Sequence, residues 1–360
     1  MGRFKNTKYL NAIQKGIMAW SSENPRHLPW KDNRDPYQIW VSEIILQQTR
    51  VEQGLPYYLK FMERYPTLLD LANSTEDELM KIWEGLGYYR RARHMHQSAQ
   101  IIVQQYDAIF PQNYSDILQL KGVGSYTAAA IASFAFDLPY VVVDGNVIRL
   151  ISRLFALVDP VDDPSVRKEI ENLASMLLDK TDPAFFNQAI MDFGAIQCKP
   201  VHPECNHCPL QEKCQAFQKD MVNLIPAKKE KKPRKTRFFY YLVPYKDEFF
   251  YIRKRSTTDI WSGLFEFYLI EFSEEVDWSK ILPNVDLPIK RVHRQQNKYK
   301  QQLSHQIIQA EFLTVELIDD ISILERDKYT RVKRKKIRNF AFPKVIDCFL
   351  KDKDVILNLH

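Results

Sequence analysis

The sequence predicts an all-α domain followed by an α+β domain. From about residue 8 to residue 216, apolar residues recur at helical spacing between short turn signals, as in Ile44 and Val51. Farther on, residues 238–243 and 264–270 form aromatic and aliphatic runs bounded by polar turns, which are typical of strands. The change of period between the two parts indicates a change of fold class.

A basic segment that is poor in apolar residues separates the two parts. Seven Lys or Arg residues and a single acid lie in residues 226–237. Such a run of like charge without apolar periodicity is typical of a solvated linker. We therefore expect a helical domain at residues 1–225, a linker at 226–237 and a second domain at 238–360.

The length and the composition fit two ordinary globular domains. A chain of 360 residues can bury two apolar cores, and its 45% hydrophobic and 27% charged residues are typical of neither fibrous nor disordered proteins. The excess of 51 Lys and Arg over 45 Asp and Glu gives a net charge of +6. This mild basic excess permits a polyanionic partner without demanding one.

The sequence shows neither an export signal nor a membrane span. Residues 1–5 lead into a polar stretch that lacks the apolar region of a signal peptide. The longest apolar stretch, residues 126–143, is interrupted by Asp137 and Pro139. We therefore expect a soluble, cytoplasmic protein without a membrane partner.

Four of the five cysteines lie in one short run. Cys198, Cys205, Cys208 and Cys214 are separated by six, two and five residues. Without an export signal, this spacing favours a metal site over disulfides. Structural zinc usually draws on two separated pairs, whereas one compact run suits a [4Fe-4S] cubane with a cysteine on each iron, so we expect the cluster and keep zinc as the alternative. Cys348, in an apolar C-terminal segment, is expected to be a buried core thiol.

Three other features carry chemistry only weakly when each is taken alone. The glycine turn at Gly122 and Gly124 leads into an Ala-rich helix at Ser125, and such a turn lets the backbone approach a phosphate. A plain turn between two helices explains it as well. Asp144 is most simply a helix N-cap, and Glu43 is most simply a helix carboxylate that faces solvent or a nearby base.

In this order along the chain, the glycine turn, the segment around Asp144 and the four-cysteine run resemble the helix-hairpin-helix DNA glycosylase superfamily, whose members endonuclease III and MutY carry a four-cysteine cluster. The resemblance covers nearly the whole first domain. Residues 28–30, 41–51 and 85–89 are similar to the MutY branch, the adenine DNA glycosylases. The resemblance implies an all-α helix-hairpin-helix glycosylase domain with an iron-sulfur cluster loop at residues 198–214, followed by an α+β Nudix-like domain.

The resemblance implies a base excision repair enzyme that binds double-stranded DNA as a monomer. It would flip adenine out of a mispair with 8-oxoguanine or guanine and hydrolyse its glycosidic bond. The residues that the resemblance places at the DNA or in the adenine pocket are Arg26, Trp30, Lys31, Leu46, Gln48, Thr49, Arg50, Leu86, Gly87, Tyr88, Gly122, Gly124, Ser125 and Gln188. Gln48 and Tyr88 would wedge into the duplex. For Trp30 and Leu46, packing in the core is an equal alternative.

A pair of carboxylates would supply the chemistry. Adenine is a poor anionic leaving group, so a positioned acid should protonate it as the bond breaks, and Glu43 among apolar neighbours suits that role. Asp144 would face the oxocarbenium-like sugar, either as an electrostatic stabiliser or as a transient covalent partner. By resemblance, Tyr126 and Asn146 would orient the pair through hydrogen bonds.

Tyr126 stands where the endonuclease III type carries a lysine that forms a Schiff base with the sugar. Because tyrosine cannot form an imine, we expect a monofunctional hydrolase, with a weak adventitious lyase activity from Lys121 left open. The alternatives are an endonuclease III-like glycosylase and lyase, a non-catalytic iron-sulfur protein that binds DNA lesions, and an iron-sulfur electron carrier. A binding protein would not need Glu43, and an electron carrier would need neither paired carboxylates nor the glycine turn.

The second domain resembles the Nudix-like domain with which MutY enzymes recognise 8-oxoguanine. Residues 253–255, 261–267 and 341–343 carry this resemblance. The acidic helix that binds metal in Nudix hydrolases is not recognisable, so we expect no pyrophosphohydrolase activity.

Ser304 and His305 resemble the loop that reads 8-oxoguanine in this family. A serine hydroxyl both donates and accepts hydrogen bonds, so Ser304 could contact the edge that distinguishes oxidised from normal guanine. Leu303 departs from the usual aromatic residue of the loop, which puts a packing role there in doubt. The alternative is that both residues are solvated groups at a strand end.

Overall fold

Helices build the first part of the chain and a mixed sheet the last part in the computed structural model. The structure describes residues 7–31, 33–229, 233–256, 258–318, 324 and 327–352. Contacts among them divide the chain into two units, one of residues 7–73 and 94–229 and the other of residues 74–93 and 233–352.

Helices and the loops that join them make up the chain from Thr7 to Gln218. The helices from Thr7 to Gln218 are α1 (Thr7–Glu23), α2 (Pro36–Leu46), α3 (Val51–Arg64), α4 (Leu68–Asn73), α5 (Glu76–Trp83), α6 (Arg90–Gln105), α7 (Tyr114–Gln119), α8 (Ser125–Phe136), α9 (Gly145–Leu154), α10 (Pro164–Leu177), α11 (Pro183–Asp192) and α12 (Gln215–Gln218). A π-helical turn, Phe193–Gln197, follows α11. The predicted all-α class is confirmed. Over the described part of the chain, every helix is too short or too polar to cross a bilayer.

Aspartate side chains fix the start of several helices. Asp35, Asp163 and Asp182 each precede a proline in the first turn, and each accepts a hydrogen bond from a backbone N–H of that turn. A capping carboxylate satisfies N–H groups that have no partner inside the helix, and a proline there sacrifices no helical hydrogen bond. The starts of α2 and α11 are thus well defined.

A tight hairpin joins α7 to α8. Asn113 caps α7 through its side chain, and the helix ends at Gln119, with Leu120 as its C-cap. Gly122 has a φ of +79°, and a Cβ atom there would lie 2.8 Å from the Cβ atom of His94, so both conformation and space require glycine. Gly124 is the N-cap of α8 and has no side chain to bond the first N–H groups of the helix. These N–H groups are therefore available to a ligand.

The second unit is built on a mixed sheet. Its described strands are β1 (Lys235–Lys246), β2 (Phe249–Lys254), β3 (Phe265–Glu266), β4 (Tyr268–Phe272), β5 (Ile289–Gln302), β6 (Gln306–Leu317) and β7 (Thr330–Lys333), and its further helices are α13 (Trp278–Ile281) and α14 (Lys344–Lys351). Strand β1 pairs parallel with β6 and antiparallel with β2 and β4, while β5 pairs antiparallel with β6. Side chains Phe239–Val243 are all buried, as expected of a central strand. The predicted α+β class is confirmed.

Residues 74–93 belong to the second unit, although the sequence places them in the helical domain. Lys81 Nζ donates to the carbonyl oxygen of Phe340 at 3.3 Å. The Glu84 carboxylate accepts a hydrogen bond from the backbone N–H of Phe342 at 3.0 Å. Contacts between residues so far apart in the chain leave no periodic signal in either segment, so the sequence alone gives no sign of them.

Cys348 is exposed, so the prediction of a buried core thiol was wrong. Helix α14 buries Val345, Ile346, Phe349 and Leu350. These four positions form one stripe of the helix, and position 348 lies outside it.

Asn187 ties α11 to the segment that leads to Asp144. Its side chain is fully buried. Its Oδ1 atom accepts from the backbone N–H of Val142 at 2.9 Å, while its Nδ2 atom donates to Ser133 Oγ at 2.9 Å and to Tyr140 O at 2.8 Å. One amide therefore satisfies two backbone groups of the irregular segment before Asp144 and ties that segment to the Ser133 hydroxyl of α8.

Replacing Asn187 by Ala should destabilise the helical unit by about 2–4 kcal/mol, because buried polar groups of Val142 and Tyr140 lose their partner. Thermal unfolding followed by far-UV circular dichroism would show a lowered midpoint. Asn284→Ala is the control, since it removes an exposed hydrogen bond to Lys280 O and should change stability by less than about 0.5 kcal/mol. Equal midpoints for the two variants would contradict the structural role of Asn187.

Candidate active site

A cavity of about 730 Å³ opens among α2, α11 and the first turns of α8 and α9. Several distant stretches of sequence meet there. The predicted site residues that line the cavity are Arg26, Trp30, Lys31, Glu43, Leu46, Gln48, Thr49, Arg50, Tyr126, Asp144, Asn146 and Gln188. The fold therefore brings the two predicted catalytic carboxylates into one concave site.

Glu43 is a carboxyl group held in the protein interior. Helix α2 is apolar on nearly all sides and buries eight of its residues, so Glu43 is carried inside with it and is only 6% exposed. Burial raises the pKa of Glu43 from 4.5 to about 7, opposed by a hydrogen bond with Tyr126 and assisted by the charge of Asp144. Near neutral pH, Glu43 is thus protonated in a useful fraction of the molecules.

Asp144 is held by hydrogen bonds that favour its anion. It caps α9, where Oδ1 accepts from the backbone N–H groups of Asn146 at 2.8 Å and Val147 at 2.7 Å. Its Oδ2 accepts from Asn146 Nδ2 at 2.7 Å. Burial raises the pKa of Asp144, while these three hydrogen bonds and the charge of Arg149 oppose the rise. The N-cap expectation for Asp144 holds together with its place in the cavity.

Tyr126 lies in the first turn of α8 between the two carboxyl groups. Burial first, and then the charges of Glu43 and Asp144, raise the pKa of the Tyr126 hydroxyl well above its usual value. The hydroxyl therefore stays neutral, and it shares a hydrogen bond with Glu43. Tyr126 can orient a carboxyl group but offers no amine for an imine.

Trp30 and Leu46 line the cavity while they also pack. Trp30 is 7% exposed and meets the ring of Tyr58 edge-on, with ring centroids 5.0 Å apart. Packing in the core and lining the pocket are therefore compatible for Trp30, since the same side chain packs against Tyr58 and borders the cavity.

The loop between α2 and α3 reaches the cavity mouth. Gln48 has a φ of 57°, a left-handed conformation that costs energy for a residue other than glycine. The Thr49 N–H donates to Leu46 O at 3.1 Å, which closes the turn, and Arg50 precedes the first residue of α3. Backbone conformations of this kind cluster at binding sites, where the surrounding fold maintains them.

Leu86, Gly87 and Tyr88 lie in the second unit, in the turn that follows α5. Gly87 and Tyr88 have φ angles of 80° and 49°, and Trp83 Nε1 donates to Gly87 O at 3.0 Å. Tyr88 is 45% exposed, whereas Leu86 is buried. If DNA contacts position 86, it would therefore contact the backbone and not the Leu86 side chain. The Tyr88 ring, in contrast, is accessible to solvent.

Ser304 and His305 are exposed in the turn between β5 and β6. The Leu303 N–H donates to Gln306 O at 2.8 Å and closes the turn. Ser304 Oγ lies 2.5 Å from the Tyr88 hydroxyl. Tyr88, which the resemblance makes a wedge, and Ser304, which it makes a reader of 8-oxoguanine, are thus in direct contact inside the second unit.

Three residues of the site escaped the sequence predictions. Arg149 donates through Nη2 to Asn146 Oδ1 at 2.9 Å. A Cβ atom at Gly194, in the π-helical turn, would lie 2.7 Å from the backbone oxygen of Asn146, so glycine allows this close approach. Asp192 lines the cavity as a buried carboxylate. Arg149 lies one helical turn after Asn146, which was a usable signal, whereas no local pattern marks Gly194 or Asp192.

The four cysteines of residues 198–214 come together against the core of the helical unit. All four line one small cavity of about 30 Å³. Arg153 Nη1 donates to Cys198 Sγ at 3.4 Å and to Lys199 O at 2.8 Å. Among the described residues, no group of three or more His, Cys, Asp or Glu is arranged to hold a single metal ion. The shared cavity nevertheless suits a group that bonds all four thiolates, as a cluster with one cysteine on each iron does.

The raised pKa of Glu43 predicts a pH-dependent stability. Because the folded protein binds this proton more tightly than the unfolded chain does, the stabilisation is complete below pH 4.5 and is lost as the pH rises towards about 7. Glu43→Gln, which cannot ionise, should be more stable than the unsubstituted protein above that pH, by up to about 3 kcal/mol. Thermal midpoints measured from mildly acidic to mildly alkaline pH would show the two curves diverge as the pH rises. Parallel curves would contradict a buried, mostly neutral Glu43.

Comparison with known proteins gives the family. Residues 41–187 match the model of the HhH-GPD superfamily base excision DNA repair proteins. The chain is 35% identical over 321 residues to the adenine DNA glycosylase of Buchnera aphidicola subsp. Baizongia pistaciae, covering 87% of this chain and 88% of the relative. It is 40% identical over 225 residues to the adenine DNA glycosylase of Rattus norvegicus, covering 60% of this chain and 44% of the relative.

The solved structures agree with this assignment. The structure of a thermostable thymine-DNA glycosylase matches with a TM-score of 0.55 and 30% identity, covering 59% of this chain and 98% of that one. An endonuclease III in a DNA complex matches with a TM-score of 0.51 and 24% identity over the same shares, which supports the fold alone. The family resemblance stated from the motifs is confirmed. The chain belongs to the adenine DNA glycosylases, base excision repair enzymes of the HhH-GPD superfamily that hydrolyse N-glycosidic bonds.

Proposed function

We propose that the enzyme removes adenine paired with 8-oxoguanine or guanine by hydrolysis of the glycosidic bond. We propose that it does not cleave the DNA strand at the resulting abasic site. The observation that carries this proposal is the pairing of two carboxyl groups in unlike surroundings within one cavity. Glu43 is almost wholly buried, whereas Asp144 accepts three hydrogen bonds at the start of a helix. Pairs of titratable groups whose surroundings differ in this way divide acid and anion roles between them.

Glu43 is the proposed acid of the reaction. Its pKa of about 7 leaves a proton available to a ring nitrogen of adenine as the glycosidic bond breaks. Once ionised, the same carboxylate can accept a proton from the attacking water. Tyr126 holds the carboxyl group in place and, being neutral, does not compete for the proton.

Asp144 is the proposed anion that stabilises the sugar. As the bond breaks, the sugar gains oxocarbenium character, and a fixed negative charge lowers the energy of that transition state. The backbone N–H groups of Asn146 and Val147 fix the carboxylate before the reaction starts. This role holds whether the charge acts through space or through a transient bond to the sugar.

The surfaces around the cavity suit a duplex from which one base has been extruded. The N–H groups at the start of α8, with Gly122, Gly124 and Ser125 exposed beside them, suit a backbone phosphate. Flipping a base costs roughly a few kcal/mol in stacking and pairing, and Gln48 and Tyr88 are the proposed side chains that fill the gap. The expected monomeric state and cytoplasmic location stay predictions.

Cys198, Cys205, Cys208 and Cys214 are the proposed ligands of a [4Fe-4S] cluster. Their common cavity and the donor Arg153 beside Cys198 support this assignment. When bound, the cluster would cross-link a loop that otherwise has short 3-10 turns and little core of its own. The hydrolysis itself needs no redox step.

Asp144→Asn should abolish adenine release, with a fall of roughly a thousandfold or more in the single-turnover rate, because the variant keeps the cap but loses the charge. The substrate is a duplex with one A:8-oxoguanine pair, and released base is detected as an alkali-labile site. The matched control is Asp163→Asn, which changes an aspartate N-cap of α10 and should leave the rate within about twofold.

The same assay separates the alternatives. Strand scission without alkali, with a borohydride-trapped adduct in the unsubstituted enzyme, would make it a glycosylase and lyase. Tight binding of the mispair without base release would make it a binding protein. Turnover of Asp144→Asn near that of the unsubstituted enzyme would refute the assignment of this carboxylate.

Ser304 and His305 are the proposed readers of the base opposite adenine. Replacing both by Ala should reduce the preference for A:8-oxoguanine over A:G by about 1–3 kcal/mol, the usual size of a lost specific base contact. Release of adenine from A:G should persist. The control is Ser273→Ala with Glu274→Ala, at an exposed turn after β4 in the same unit. If the Ser304 and His305 double variant keeps the same ratio of rates on the two duplexes as the control double variant, the turn between β5 and β6 does not read the lesion.

A further inference from the structure

Asp192 is a buried carboxylate of the cavity to which the proposed chemistry gives no role. It is the last residue of α11 and is 5% exposed. Its Oδ2 atom is bonded by Lys31 Nζ, and its Oδ1 atom lies 3.6 Å from Arg26 Nη1. The side chain thus joins both basic residues that the sequence assigned to the adenine pocket.

Stability alone is a poor explanation for such a group. Taking ions out of water costs several kcal/mol per ion, and this cost commonly cancels the attraction within a buried pair. Position favours a role in the site instead. Gln188 and Asp192 are four residues apart and share the face of α11 that lines the cavity. The π-helical turn that follows Asp192 is a feature frequently found at functional sites.

We propose that Asp192 is a positioning residue for the base pocket, which holds Lys31 and Arg26 against α11 and offsets part of their charge. This inference rests on the proposed adenine hydrolysis. Adenine enters the pocket as a neutral base, so an anion that offsets the positive charge of these side chains matches the pocket to the ligand. Fixed by Asp192, the same two side chains remain as oriented hydrogen-bond donors.

Asp192 and Glu43 line the same cavity, so Asp192 contributes to the charge balance around Glu43. The other acids that line the cavity are Glu43, Glu52 and Asp144. The cations that line it are Arg26, Lys31, Arg50, Arg149 and Arg167, and Tyr126 lies beside Glu43. Arg149 already donates to Asn146 Oδ1, Gly194 O and Cys198 O. Without Asp192, the net charge of the side chains that line the cavity is more positive by one, which favours the ionised form of Glu43 and lowers its pKa.

The test is the pH profile of single-turnover adenine release from an A:8-oxoguanine duplex. Asp192→Asn should lower the rate near neutral pH by about tenfold or more and move the alkaline limb of the profile down by about 0.5–1 pH unit. Lys31→Met removes one cation and should move the limb in the opposite direction. The double variant should return the limb close to its original pH, although its rate stays reduced because a pocket donor is missing.

Asp192→Glu and Glu63→Gln are the controls. Asp192→Glu keeps the charge and should keep the limb in place, while Glu63→Gln removes a charge from the exposed face of α3 and should change neither rate nor limb. An alkaline limb that stays fixed in both single variants would overturn the role of Asp192. So would a double variant that retains the full shift of Asp192→Asn. Absence of adenine release from the unsubstituted enzyme would instead refute the proposed function.

Discussion

Holding two carboxyl groups in unlike surroundings within one cavity is the constraint on which the proposed chemistry depends. Water would ionise both groups, so the fold must withdraw Glu43 from solvent while it supplies Asp144 with donors. Helix α2 keeps Glu43 away from solvent because the helix is apolar on nearly all sides. The start of α9 supplies Asp144 with donors, since the first N–H groups of the helix and the positive end of its dipole favour an anion.

Much of the helical unit serves to hold these two environments in place. Asn187 anchors the irregular segment before Asp144 with two hydrogen bonds to its backbone and a third to Ser133 of α8. Gly194 lets the π-helical turn touch the backbone of Asn146, where any side chain would push the cap away. Both residues act at a distance from the reacting atoms, so their loss would misplace the carboxylate without changing its chemistry. The wall of the pocket formed by α11 and its π-helical turn is therefore part of the proposed catalytic machinery.

The sequence predicted both fold classes and the carboxylates that meet in the cavity, because helical periodicity, aromatic runs and extended motifs are local signals. It missed Asp192 and Gly194, whose importance arises from partners more than 40 residues away in the chain. It also misplaced Cys348, since an apolar segment does not reveal which face of its helix is exposed. Local patterns therefore identify elements and motifs, whereas contacts between distant segments decide which further side chains complete a site.

The segment at residues 74–93 shows the same limit at the level of domains. Its helix and glycine turn look like the rest of the helical domain, yet its contacts with Phe340 and Phe342 place it in the unit that contains the sheet. Tyr88 consequently belongs to the same unit as Ser304, and their hydroxyl groups meet. Because the proposed wedge and the proposed reader lie in the same unit, they can be fixed relative to each other before DNA binds, which would reduce the entropy lost on recognition. The proposed reading of the opposite base is thus separable from the adenine chemistry, whose carboxylates lie entirely in the other unit.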